Sequence, residues 1–426
     1  MYTDIISLVV FIACIALFVW DKLPMATTAI IGCVAMVILG VCDFKTAFGQ
    51  FASSTVVLTV GVMIIGAAIS ETGLAATIGR WIVRVSKGSE VKLIVGTYLV
   101  SAAMSAFLTN SAVLAIFIPI IMGLSMSNKA IKAKNLIMPI AYGCVIGGAS
   151  TLVGSTQQMT AQGLLEEAGL RTFKTFDFTL VGGVLILLGL AYCLFIGRRR
   201  GEKIWGSRED ESDYDTKANE VSYDKAKMVI VAAIFVCTVI LYITEIIPLA
   251  VTSTTAALLC IVTGCISQKK AITSVNWNIV GRLAGCLGIA KALEAAGGTA
   301  LISQGFKFLV GDSINSYFQA YLLFCILVLL VLVTSQFISN STAILIVLPI
   351  VIAIAPDMGL NTYTYALGIT LASGVALSCP LASSTLGMSM SVGYRFNDYF
   401  KYSIFFDIVS YLTIIVTVPL MYGLMV

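Results

Sequence analysis

The chain contains no histidine. That removes the commonest metal ligand and the usual side chain titrating near neutral pH, so neither a transition-metal centre nor an imidazole proton relay is expected. Charge is nearly as scarce. Asp, Glu, Lys and Arg make up 11% of the residues, where a soluble domain carries about 25%. With 59% hydrophobic residues and a mean hydropathy of +0.99, lipid must cover much of the surface, and an integral membrane protein is expected. The net charge is only +4, and the basic residues sit in short clusters between apolar runs, which argues against nucleic acid as a partner. Cysteine is plentiful, but no Cys-x-x-Cys pair occurs. Residues such as Cys14, Cys144, Cys260 and Cys379 stand singly in apolar segments, the habit of small packing residues. The N-terminus lacks the basic opening and small-residue cleavage site of a secretory signal, so residues 4–20 read as a retained helix.

Apolar runs near 4–20, 24–42, 51–70, 178–197, 227–246, 248–265, 275–296 and 402–425 approach the roughly 20 residues that a membrane-crossing helix needs. Two stretches, 92–126 and 317–356, are too long for one span, and each is interrupted midway by a small polar triplet. They read as re-entrant hairpins. Two others, 135–170 and 362–394, start apolar and then break into Gly, Ser, Thr and Pro, as helices broken in mid-membrane do. Counting Lys and Arg outside the spans places twenty on one side and four on the other. By the positive-inside rule this predicts both termini outside, ten spans and two hairpins, in a multi-pass protein of the cell membrane.

The two halves repeat at a spacing near 230 residues. Residues 107–121 read FLTNSAVLAIFIPII and 337–351 read FISNSTAILIVLPIV; 61–75 and 285–300 form a related pair, as do 150–159 and 379–388. Five spans plus a hairpin precede the charged run at 198–226, so the second half should enter the membrane upside down. Inverted repeats with broken helices are the architecture of secondary transporters, whose site lies at the midplane. The expected parts are first-repeat scaffold helices at 1–96, a first transport part at 97–197, a cytoplasmic linker at 198–226, second-repeat scaffold helices at 227–316 and a second transport part at 317–426.

The chemistry at the hairpin tips suits an anion. A starting helix presents free N–H groups and partial positive charge. Asn110 and Asn340 add carboxamides; Thr109, Ser111, Ser339, Ser341 and Thr342 add hydroxyls. The breaks contribute Gly154, Ser155, Thr156 and Gln157, and Ser383, Ser384 and Thr385. Singly, such residues often only cap helices or join them; matched in two halves, they point to a site. Neither triplet nor break holds a basic residue, so a dianion should need co-bound cations, which makes sodium the expected coupling ion. Arg282, within a span, is expected to snorkel or to pair at a scaffold interface, with contact to the substrate the other option. Lys291 and Glu294 should pair across one helical turn.

At these residues the chain resembles the divalent anion/sodium symporter family of the ion transporter superfamily. The carriers are the two triplets, GGASTLVGSTQQMTAQGLLEEAG (147–169), VNWNIV (275–280) and GYRFNDYFKYS (393–403). The family's usual Ser-Asn-Thr triplet ends here in serine both times, and its Gly-Thr-Pro-Pro-Asn reads Gly-Ser-Thr-Gln-Gln. The resemblance implies an all-α homodimer whose mobile parts slide against a fixed scaffold, carrying a C4-dicarboxylate, citrate or sulfate. It implies that Thr109-Asn110-Ser111 and Ser339-Asn340-Ser341 hold the ends of the anion, aided by Thr342, Thr156, Gln157, Ser384 and Thr385. It also implies a sodium site in each half, from Thr109, Asn110, Gly154 and Ser155 and from Ser339, Asn340 and Ser383. Exchange without sodium is an alternative. Cation/proton antiport would need a carboxylate at the midplane, whereas Glu71, Glu245 and Glu294 sit at span ends. No enzyme is expected, because no catalytic acid pair, metal cluster or activated nucleophile is in evidence.

Overall fold

The computed structural model describes residues 2–20, 22–86, 89–128, 131–206, 223–310 and 316–425. Among these the chain is helical apart from turns and one isolated antiparallel bridge between Leu360 and Met425. Helix α1 (Tyr2–Trp20) leads to α2 (Met25–Ile38), which Pro24 starts with its fixed φ of −53°. Helix α3 (Phe44–Phe48) opens on Asp43, whose carboxylate accepts from the Thr46 N–H, and passes through a 3-10 turn into α4 (Ser54–Glu71). Gly73, at φ 75°, then turns the chain into the amphipathic α5 (Leu74–Val85). Helices α6 (Glu90–Ser105) and α7 (Asn110–Ser127) form the first hairpin, and α8 (Ala133–Gly148) and α9 (Thr156–Glu167) the first broken helix. Helix α10 (Thr179–Tyr192) continues through a π-turn into α11 (Arg198–Trp205).

The second half runs through the same order. It comprises α12 (Lys225–Thr244), α13 (Leu249–Val262), the short α14 (Gln268–Ser274), α15 (Trp277–Ala295) and α16 (Gly298–Val310). The second hairpin follows as α17 (Tyr317–Thr334) and α18 (Asn340–Ile354), the second broken helix as α19 (Thr362–Gly374) and α20 (Ser384–Ser389), and the last helix as α21 (Phe396–Tyr422). Local signals recur with the order: Pro248 starts α13 as Pro24 starts α2, and Gly297, at φ 80°, precedes α16 as Gly73 precedes α5. The halves pack crosswise. Helix α2 lies on α15 and α4 on α13; α9 meets α18, and α20 meets α7. Within each half the hairpin holds its own broken helix, α6 against α8 and α17 against α19.

Small residues permit these approaches, since lipid offers helices no hydrophobic reason to associate and close packing must serve instead. A methyl group on Gly147 of α8 would lie 2.3 Å from the Ala102 carbonyl oxygen of α6. On Gly285 of α15 it would lie 2.8 Å from the Ala29 methyl of α2. Large apolar side chains such as Ile38, Val262, Phe318 and Leu420 stand outward instead. By length and composition seven described helical stretches can cross a membrane: Thr3–Trp20, Phe44–Glu71, Asn110–Ser127, Thr179–Trp205, Lys225–Thr244, Tyr317–Thr334 and Phe396–Tyr422. Met25–Ile38, Leu249–Val262 and Asn340–Ile354 are apolar but shorter.

The helix interruptions fall where the sequence predicts them, at 106–109 and 335–339 for the hairpins and at 149–155 and 375–383 for the breaks. Of the expected linker, 207–222 lies outside the described residues, while 198–205 is helix. That helix is docked: the Trp205 indole N–H donates to Asn135 Oδ1 at 2.9 Å, and Arg198 pairs with Glu90 at 3.2 Å.

Candidate functional site

Helices α7, α9 and α18 begin at one cavity of about 300 Å³. The first hairpin tip supplies Thr109, Asn110 and Ser111, and the second supplies Ser339, Asn340 and Ser341. Gly154, Ser155, Thr156 and Gln157 of the first break line it too, as do Ser383, Ser384 and Thr385 beside the second. The tips lie far apart in sequence but touch through the break: Thr156 Oγ1 is 3.0 Å from Ser341 Oγ. Thr109 caps α7 without spending its side chain, whereas Ser339 Oγ accepts from the Thr342 N–H at 3.3 Å. The first turns of these helices therefore direct N–H dipoles and hydroxyls at one volume, an arrangement that stabilises negative charge.

Thr342 departs from expectation. It is fully buried and does not line the cavity. Its hydroxyl is occupied by Ser339 Oγ at 2.7 Å and by the Met25 sulfur at 3.2 Å. Because α2 brings Met25 over the first turn of α18, the Thr342 hydroxyl is engaged in the cap.

Arg282 corrects a larger expectation. It neither snorkels nor pairs with a carboxylate; it lines the cavity, partly buried. One guanidinium nitrogen donates to Ser339 Oγ at 3.3 Å and another to Ser341 Oγ at 3.4 Å. No ion pair to it occurs among the described residues. The site thus carries a fixed positive charge that the triplets and breaks alone do not contain. Two further polar lining residues were not named as site residues by the sequence reading. Asn276 caps α15 by accepting from the Asn278 N–H at 3.1 Å, and Thr59 lies on α4, the counterpart of α15. Glu71, Glu245 and Glu294 do not line the cavity. Glu71 pairs with Lys270, Glu245 accepts from the Thr175 N–H at 3.2 Å, and Glu294 pairs with Lys291 at 3.1 Å as expected.

Oxygen atoms gather behind the first tip. The Asn110 carboxamide atom facing the first break lies 2.7 Å from Ser105 Oγ and 3.3 Å from the carbonyl oxygens of Cys144 and Gly154. As nitrogen it donates to both carbonyls; as oxygen it completes a four-oxygen cluster suited to a hard cation. In the second half Ser335 Oγ, Asn340 Oδ1 and Ser378 Oγ are buried without a hydrogen-bond partner, a cost that a bound cation would remove. Ser105 and Ser335 stand in the same relation to Asn110 and Asn340, at the repeat spacing of 230. The repeat, extended five residues upstream of each asparagine, would have revealed them. No cluster of three or more His, Cys, Asp or Glu able to hold a metal exists among the described residues. The oxygens fit an alkali cation better than a transition metal.

Repeated helical halves, broken helices and a polar cavity between them define a multi-pass membrane protein with transporter-like architecture. The family model described as citrate transporter matches residues 15–316, and the chain belongs to that family. An uncharacterized transporter of Escherichia coli (strain K12), YfbS, is 32% identical over 42% of this chain and 29% of its own length. The chain thus matches less than a third of that relative. The sodium-dependent high-affinity dicarboxylate transporter 3 of Caenorhabditis elegans is 22% identical over 87% of this chain and 75% of its own. Among solved structures, the Alcanivorax borkumensis YdaH transporter superposes with a TM-score of 0.66 at 14% identity, covering 96% of this chain and 98% of that one. That likeness concerns the fold.

Proposed function

We propose that this protein is a secondary active transporter of small divalent anions, taking up a C4-dicarboxylate together with sodium. One observation carries the reading. Two helix-start clusters from opposite halves meet at a cavity beside a guanidinium with no carboxylate partner among the described residues. A dicarboxylate between the tips would take N–H and hydroxyl donors at both ends. Arg282 would exchange two neutral serine contacts for charge-assisted bonds to a carboxylate, which are roughly twice as strong. The oxygen clusters behind Asn110 and Asn340 would each hold one sodium ion, and these cations would offset the dianion's charge.

The two halves would be inverted in the membrane and the hairpins re-entrant. Helices α6–α10 and α17–α21 would move with the substrate against a scaffold of α1–α5 and α12–α16, in a homodimer. The crosswise packing of the halves and the interruptions at matched positions support this reading. The test is uptake of labelled succinate, citrate and sulfate by purified protein in liposomes, with and without an inward sodium gradient. Sodium-stimulated uptake of a dianion is expected; uptake of none of the three would overturn the reading. A second reading, sodium-independent exchange, draws on Arg282, whose fixed charge could replace one cation. It predicts equal uptake without sodium, provided that anion is present inside.

A further inference from the structure

Asp407 lies inside α21 and is 3% exposed. Its Oδ1 accepts from the Leu377 N–H at 3.2 Å; its Oδ2 accepts from the Ser378 N–H at 3.1 Å and from Gln336 Nε2 at 2.7 Å. Leu377 and Ser378 belong to the second break, and Gln336 adjoins Ser335 in the turn of the second hairpin. One carboxylate therefore joins the second break to the turn of the second hairpin.

Three N–H donors meet the two carboxylate oxygens. The groups packed round it supply no counter-charge. Tyr142 of α8 and Tyr192 of α10 are neutral in their ordinary state. Arg200 of α11 is exposed and donates to the Lys401 carbonyl at the helix end. Among the described residues Asp407 has no ion pair. Yet Ser335 Oγ, Gln336 Oε1 and Asn340 Oδ1, in and beside the hairpin turn that the carboxylate holds, are buried with no hydrogen-bond partner. A carboxylate without a cation and oxygens without donors are complementary deficits, and one hard monovalent cation among the oxygens resolves both. The first half has no such charge: α10, the counterpart of α21, contains no acidic residue.

We propose that Asp407 is a positioning residue that draws the coupling cation to the second half and makes that site the tighter of the two. This rests on the sodium-coupled reading above. The carboxylate does not enter the anion cavity; it acts through the backbone of the break and through Gln336, holding the oxygens in place and supplying the field that the cation feels.

The test is sodium binding to purified protein in the absence of any anion, followed by sodium-induced thermal stabilisation with potassium as the replacement ion. Asp407→Asn keeps the size of the side chain and an acceptor oxygen while removing the charge. Its half-saturating sodium concentration should rise at least about tenfold. An unchanged half-saturation in Asp407→Asn would overturn the proposal alone; no sodium binding by the wild type would overturn the sodium reading with it. If that variant does not fold, Gln336→Met, which cuts the carboxylate's side-chain link to the hairpin turn, takes its place: a raised half-saturating sodium concentration is expected, and an unchanged one overturns the proposal.

Discussion

Thr156 Oγ1 lies 3.0 Å from Ser341 Oγ, joining the break of the first half to the hairpin tip of the second across 185 residues. Arg282 reaches the same serine from a third direction, at 3.4 Å. Ser341 is thus the point where both halves and α15 converge. Several consequences can be measured.

Arg282→Ala should weaken dianion binding by about 2–5 kcal/mol, the range for truncating one partner of a buried charged contact. Arg282→Lys should recover only part of this, because an ammonium cannot reproduce two parallel N–H bonds. Calorimetric titration of succinate against both variants checks the order. Binding by Arg282→Ala at wild-type affinity would show that the guanidinium serves only the empty tip.

Asn110→Ala and Asn340→Ala should each abolish transport while leaving a folded protein. Each removes a carboxamide from an oxygen cluster and from a cavity wall. Chromatographic homogeneity with lost uptake is the expected pair of results; full uptake by either variant would remove that tip from the site.

Gly147→Val tests the packing of the first hairpin on its broken helix. The new side chain would force α6 away from α8, where the first methyl alone would lie 2.3 Å from the Ala102 carbonyl oxygen. Overpacking of this kind costs about 1–3 kcal/mol or more, so a lower thermal transition and poor expression are expected; an unchanged transition would contradict this packing.

Contacts between α9 and the proposed scaffold must break if the two parts slide. Glu166 accepts from Ser54 Oγ at 2.8 Å and from Thr55 Oγ1 at 3.0 Å, and Lys291 donates to the Glu167 carbonyl at 2.9 Å. A disulfide between Thr55→Cys and Glu166→Cys should stop uptake, and reduction should restore it. Undiminished uptake by the cross-linked protein would contradict relative movement of α4 and α9.

Much of this was legible in the sequence, because hydropathy and the triplet repeat report directly on where helices start and stop. The hairpin turns at 106–109 and 335–339 and the break at 149–155 lie where small polar residues interrupt apolar runs. What hydropathy cannot report is which way a side chain in a span points. Arg282 reaches the second tip with its side chain from α15, a tertiary fact that no local pattern encodes. Thr342 resembles its neighbours in sequence but is closed off by Met25, more than three hundred residues away. Asp407 was visible as an acid within the run 402–425, yet its meaning comes from the backbone N–H groups of a distant break.

The central claim is that an anion sits between Asn110–Ser111 and Asn340–Ser341 with Arg282 on one carboxylate. The most direct measurement is a structure of the sodium-loaded protein with succinate bound. The account predicts density for the dianion between the two tips, with one end within hydrogen-bond distance of Arg282. Succinate held elsewhere, with Arg282 still on Ser339 and Ser341, would contradict it.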